Sequence, residues 1–208
     1  MAKVLIVYYS AYGHIFDMAK AVAEGAKQIA GTEVKIAKAP EFPVVKEAMS
    51  GQEPYVHAQQ QQADIPDVTQ EDLTWADAII WGVPTRYGMM PAQMKQVLDA
   101  AGGLWATGAL EGKPTAVFTS TGSIHGGQES TILTTLVPLL HFGMIFVGLP
   151  YGENKEQLTA EGIGGSPYGA STVAGPDGSR APVEAERTMA SRLGARVARV
   201  AAALAAAK

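Results

Sequence analysis

The sequence predicts an α/β fold: one domain built on a doubly wound, five-stranded parallel sheet. Two patterns carry this. Short apolar runs, such as "KVLIV" at 3–7 and "DAIIWGV" at 77–83, read as strands buried on both faces. Between them the apolar residues switch to helical spacing, as at Ala19, Val22, Ala23, Ala26 and Ile29. A length of 208 residues fits one such domain, 1–208, with insertions.

Taken in order, Val4 to Tyr9 form the first strand. A helix follows from Phe16, with Gly31 as its stop. Val34 and Ile36 alternate with polar residues as a second strand, so the opening is a βαβ unit. Residues 40–72, rich in Pro, Gln and acids, form an irregular insertion with room for a short helix. Residues 77–83 are the third strand. A helix then runs from Pro91, suited to the first helical position, to about Ala100. The stretch near 102–113 is a second, loop-like insertion. Thr115 to Thr121 make the fourth strand, and Gln128 to His141 a helix kinked at Pro138. Met144 to Leu149 make the fifth strand. Residues 150–181 hold many Gly, Ser and Pro and form one long ordered loop. It has few apolar anchors, so a neighbouring subunit is expected to order it. The last helix starts near Pro182. Glu184 and Glu186 in its first turns, with Arg192, Arg196 and Arg199 later, suit the helix dipole. Met189, Leu193, Val197, Val200 and Leu204 form its buried stripe.

Composition narrows the function. The chain has no cysteine, which excludes thiol redox chemistry and thiolate metal sites. No metal site is expected. A net charge of −4 offers nucleic acid no general attraction. The first residues lack the length and cleavage site of a signal peptide, and the apolar tail is too short to span a bilayer. A cytoplasmic protein with no membrane insertion is expected.

Three loops leave strands at their carboxyl ends, where doubly wound sheets bind ligands. "SAYGHI", Ser10 to Ile15, ends at a helix N-terminus, whose free amides and dipole suit a phosphate. Ser10 adds a hydroxyl, and Gly13 allows the tight turn. The loop matches neither the P-loop nor the G-x-G-x-x-G pattern. "PTRYG", Pro84 to Gly88, and "STGSIH", Ser120 to His125, could set backbone amides against a flat heterocycle. Tyr87 could stack on such a ring, and Arg86 could face its anionic edge. His125 fits a loop cap as well as a chemical role. His141 could merely satisfy the last carbonyls of its helix. Met89, Met90 and Met94 suit core filling better than a cofactor lid. Trp105 is either a packing plug or a roof over a ligand. One phosphate loop and two loops around a flat ring suggest a flavin mononucleotide (FMN) site.

At this point "YYSAYGHI", "PTRYG", "GGLWATGAL", "STGSIHGGQE" and "SPYGASTVAGPDGSR" resemble the WrbA family, flavodoxin-like NAD(P)H:quinone oxidoreductases, in order and spacing over nearly the whole chain. The resemblance implies a three-layer flavodoxin-like fold, with helices on both faces of the sheet. It implies bound FMN, NADH or NADPH as co-substrate, and ping-pong reduction of quinones by two electrons through one shared site. Hydride passes at flavin N5, so no residue is assigned as catalytic. Ser10, Ala11, Tyr12, Gly13, His14 and Ile15 would hold the phosphate, with Tyr12 also lining the nicotinamide site. Pro84, Thr85, Arg86, Tyr87 and Gly88 would contact ring and ribityl chain. Ser120, Thr121, Gly122, Ser123, Ile124 and His125 would border the pyrimidine side, and His141 would reach the flavin. Trp105 would roof the cavity where nicotinamide and quinone take turns. The 150–181 loop would serve a homotetramer, a dimer of dimers. Flavodoxins close the phosphate loop with a hydroxyl residue; here that place is Ile15, which leaves more to the amides and Ser10.

Two other functions use parts of the same pattern. A flavodoxin-type electron carrier needs the phosphate loop, but carriers are more acidic and lack the two insertions. A flavin-binding regulatory or interaction protein needs no chemistry. A receiver-type module would need an acidic pair after the first strand, where "YYSAYG" has none.

Overall fold

A computed structural model describes residues 1–207. Six strands form one sheet: β1 (Ala2–Tyr8), β2 (Thr32–Lys38), β3 (Ala78–Pro84), β4 (Pro114–Thr121), β5 (Ile145–Phe146) and β6 (Ser171–Val173). Their order is β2-β1-β3-β4-β5, with β6 also on β4, and every pairing is parallel. The strand order reverses between β1 and β3, which places the crevice there. The helices are α1 (His14–Lys27), α2 (Pro43–Met49), α3 (Glu53–Gln61), α4 (Gln70–Trp75), α5 (Ala92–Ala100), α6 (Gly102–Ala106), α7 (Gln128–His141) and α8 (Glu184–Ala206).

The period of two along the central strands divides the core into two halves. Val4, Ile6 and Tyr8 point into one half, filled by α1 and α8. Leu5, Val7 and Tyr9 point into the other, filled by α4, α5 and α7. The result is three layers. The helices α1 and α8 meet backbone to backbone at Gly25 and Gly194. A Cβ on Gly194 would lie 2.0 Å from the Val22 carbonyl oxygen.

Several boundaries move from the sequence reading. α1 starts at His14, two residues before Phe16. Residues 40–72 carry three short helices, not one. Pro91 is the N-cap of α5 and not its first helical residue. The 102–113 stretch begins with a helix, α6. Leu204 is exposed, so the buried stripe of α8 ends earlier.

The far edge of the sheet differs most. Of the apolar run Met144–Leu149, only Ile145 and Phe146 pair with β4, at Pro114 and Thr115. The upper half of β4, Thr119–Thr121, pairs with β6. So the long loop contributes a strand and is tied down within its own chain. Gly169 permits this approach, since a Cβ there would sit 2.1 Å from the Val117 carbonyl oxygen. The other anchor is Glu186. Its carboxylate is fully buried and accepts from Gly164 N–H, Val173 N–H, Val183 N–H, the Thr172 hydroxyl and the Arg180 guanidinium. These bonds anchor the segment from Gly164 to Val183 within the chain.

Candidate functional site

A cleft of about 500 Å³ opens over the carboxyl ends of β1, β3 and β4. Its first wall is the loop after β1. Tyr8 is buried at the strand end, and Gly13, at φ 94°, turns the chain into α1. Ser10 is buried as well. Its Oγ accepts from Gly13 N–H at 3.1 Å and Phe16 N–H at 3.3 Å, so it caps the helix start. The hydroxyl hydrogen is left to donate to a ligand. The N–H groups of Ala11, Tyr12, His14 and Ile15 have no intrachain acceptor among the described residues. Four free amides at a helix N-terminus are the donor arrangement that suits an anion. Ile15 gives its amide only, because its side chain lies in the core.

The second wall leaves β3. Arg86 and Met89 exchange both backbone hydrogen bonds across a two-residue turn. Tyr87 at φ 56° and Gly88 at φ 79° are its centre, a type I′ turn. Thr85 Oγ1 braces it, accepting from Gly88 N–H and from the Thr131 hydroxyl of α7. Pro84, Thr85 and Arg86 line the cleft, whereas Tyr87 and Gly88 lie at the turn tip, with Tyr87 wholly exposed. The third wall leaves β4. Ser120, Thr121 and Gly122 line the cleft, and Thr121 donates to the Ser123 carbonyl at 2.7 Å. Ser123, Ile124 and His125 are exposed on the outer side of that loop, Ile124 beside Gly162.

Two further walls have no counterpart in the sequence reading. Gln52 and Pro54 come from the 40–72 insertion, and Gln52 accepts from the Tyr12 hydroxyl at 3.0 Å. Ala174 to Gly178 come from the segment that follows β6. The "PDG" turn at 176–178 was the one local signal for the latter. Asp177 turns back on Ser179, whose N–H and hydroxyl hold its carboxyl below the usual range. Arg86 is the one Lys or Arg side chain on the lining.

Trp105 and His141 sit elsewhere. They line a neighbouring apolar groove of about 710 Å³ between α5, α6 and α7, which shares Arg86 with the cleft. The Trp105 indole N–H donates to the His141 carbonyl at 3.0 Å. Beneath the cleft, Glu41 accepts from the hydroxyls of Tyr9 and Tyr55 and from the Gln93 amide. Among the described residues no cluster of three His, Asp or Glu could hold a metal, and no helix is long and apolar enough to cross a membrane.

The fold and cleft define a flavodoxin-like protein whose cleft, with open amides on its wall, lies at the β1/β3 switch point. The chain belongs to the NADPH-dependent FMN reductase family, whose model matches residues 3–153. It is 53% identical to an NAD(P)H dehydrogenase (quinone) of Aromatoleum aromaticum, covering 97% of both chains. It is 54% identical to one of Geotalea uraniireducens, covering 98% of this chain and 99% of the other. Among solved structures it resembles a flavodoxin, WrbA-like protein from Agrobacterium tumefaciens. The TM-score is 0.68 at 23% identity, over 98% of this chain and 99% of that one.

Proposed function

We propose that the protein is an NAD(P)H:quinone oxidoreductase that binds FMN in the cleft over β1, β3 and β4. One observation carries the reading: four unsatisfied amides and the Ser10 hydroxyl converge at the start of α1. The residues fit the group. A terminal phosphate would satisfy donors that the chain leaves open, and the volume suits a small-molecule site. Bound flavin supplies the hydride and electron chemistry.

The chain's own residues hold and orient. Ser10 to Ile15 grip the phosphate, with Gly13 setting the turn. Pro84 to Arg86 and Ser120 to Gly122 frame the ring and ribityl chain; Tyr87, Gly88 and Ser123 to His125, which the resemblance also assigned there, lie off the cleft. Arg86 places a cation at the edge of the cleft, and Tyr12 borders the nicotinamide position. Nicotinamide and quinone occupy the same space in turn. Both insertions set the protein apart from a simple electron carrier, because each adds wall to the cleft or its neighbouring groove.

Trp105 and His141 act on substrate only through assembly into a homotetramer. In support, Met89, Trp105, Leu133, Val137 and Leu140 form an exposed apolar face along α7 and its groove. Such faces mark interfaces. To test the function, release the ligand by heat and identify it by mass, then mix holoprotein with NADH and benzoquinone. FMN, rapid bleaching and recovery with quinone are expected. FAD, or no bleaching by either nicotinamide, would overturn the reading.

A further inference from the structure

The glutamine run at 59–62 lies at the end of α3, far in sequence from the loop it touches. Gln59 donates to the Ser10 carbonyl at 3.0 Å and to the Ala11 carbonyl at 3.2 Å. Gln62 donates to the same Ser10 carbonyl at 2.8 Å. Gln62 is buried, and its own oxygen accepts from the buried Tyr8 hydroxyl at 2.9 Å. So Tyr8 fixes Gln62, and two amides saturate one carbonyl of the anion loop.

Each of these carbonyls shares a peptide plane with a free N–H. In a trans peptide, C=O and N–H point in opposite directions. Holding the Ser10 carbonyl toward α3 turns the Ala11 N–H away from α3, and holding the Ala11 carbonyl does the same for the Tyr12 N–H. Ala11 and Tyr12 both line the cleft, whereas Gln59 and Gln62 do not. A carbonyl that accepts hydrogen bonds also polarises the N–H of its own peptide, so that amide donates more strongly. Left unheld, the same carbonyls could swing toward the ligand and repel an anion.

We infer that Gln59 and Gln62 are positioning residues for the phosphate. They orient and polarise the Ala11 and Tyr12 amides without touching the ligand. The inference rests on the FMN reading of the cleft and adds α3 to its phosphate-binding machinery. It also gives the 40–72 insertion a purpose beyond wall-building.

The test compares two ligands that differ only in the phosphate. Titrate wild type, Gln59→Met and Gln62→Met with FMN and with riboflavin, following flavin fluorescence, and record each variant's melting temperature. Each variant should bind FMN about tenfold more weakly, the loss of one hydrogen bond's contribution to a charged group. Riboflavin affinity should stay within about twofold. Gln59 is only half-buried, so its variant keeps the test alive if Gln62→Met fails to fold. Equal weakening of FMN and riboflavin, or no change in either, would overturn the inference while the site stands. Wild type that holds FMN no tighter than riboflavin would overturn the site and the inference together.

Discussion

The Arg180 guanidinium lies 3.0 Å from the Glu186 carboxylate, and that carboxylate has no exposure to solvent. The pair joins the start of α8 to the segment whose Ala174–Gly178 turn walls the cleft. Arg180 also donates to the Val173 carbonyl, next to that turn. The link from sequence to site therefore runs through a buried charge.

Glu186→Ala should cost roughly 3 to 5 kcal/mol of stability, because it strands three backbone N–H groups, a hydroxyl and a guanidinium. Urea denaturation measures it. A loss under about 1 kcal/mol would mean that water replaces the carboxylate freely.

Ser10→Asp should weaken FMN binding by at least about a hundredfold, since a carboxylate would face the phosphate in a partly dry cleft. Riboflavin should bind far less affected. Unchanged FMN affinity would show that this loop does not hold the phosphate.

Gly194→Ala should destabilise the fold by roughly 3 kcal/mol, because the new Cβ meets a backbone oxygen that has nowhere to go. Flavin affinity of the folded fraction should not change. A melting curve matching wild type would show that α1 and α8 can separate cheaply.

Alkaline stability should fall in a defined window. Burial pushes the Tyr55 phenol up to about 12, with Glu41 adding its charge and hydrogen bond. Burial, again with Glu41, raises Tyr9 further. Unfolded tyrosines ionise near 10. Above that pH the folded state keeps protons that the unfolded chain has released. The stabilisation is therefore complete below about pH 10 and is lost as pH rises toward 12. Urea midpoints measured from pH 8 to 11.5 should hold up to about pH 10 and decline above it, less steeply in Tyr55→Phe. Identical slopes would remove Tyr55 from the explanation.

Assembly should depend on α7. Leu140→Glu places a charge on the exposed apolar face, and light scattering should show a smaller species than wild type. NADH–benzoquinone turnover should fall with dilution as subunits separate. A monomeric wild type with constant specific activity would end the proposed role for Trp105.

The sequence by itself determined what local pattern encodes. The apolar runs located β1, β3 and β4, and α7 spans Gln128–His141 as the sequence reading has it, despite Pro138. That the loop after β1 would line the cleft was legible because a serine, a glycine and a helix start lie within six residues. Tertiary structure decided the rest, for a physical reason: the partners are distant along the chain and carry no local mark. Glu186 reads as an ordinary first-turn acid until Gly164, Val173 and Arg180 close over it. Ser171–Val173 is a strand only because the upper half of β4 has an open edge. Gln62 reads as one of four polar residues, and only folding brings it to Ser10, 52 positions away. Trp105 and His141 were placed over the flavin by resemblance, yet within one chain they face a separate groove.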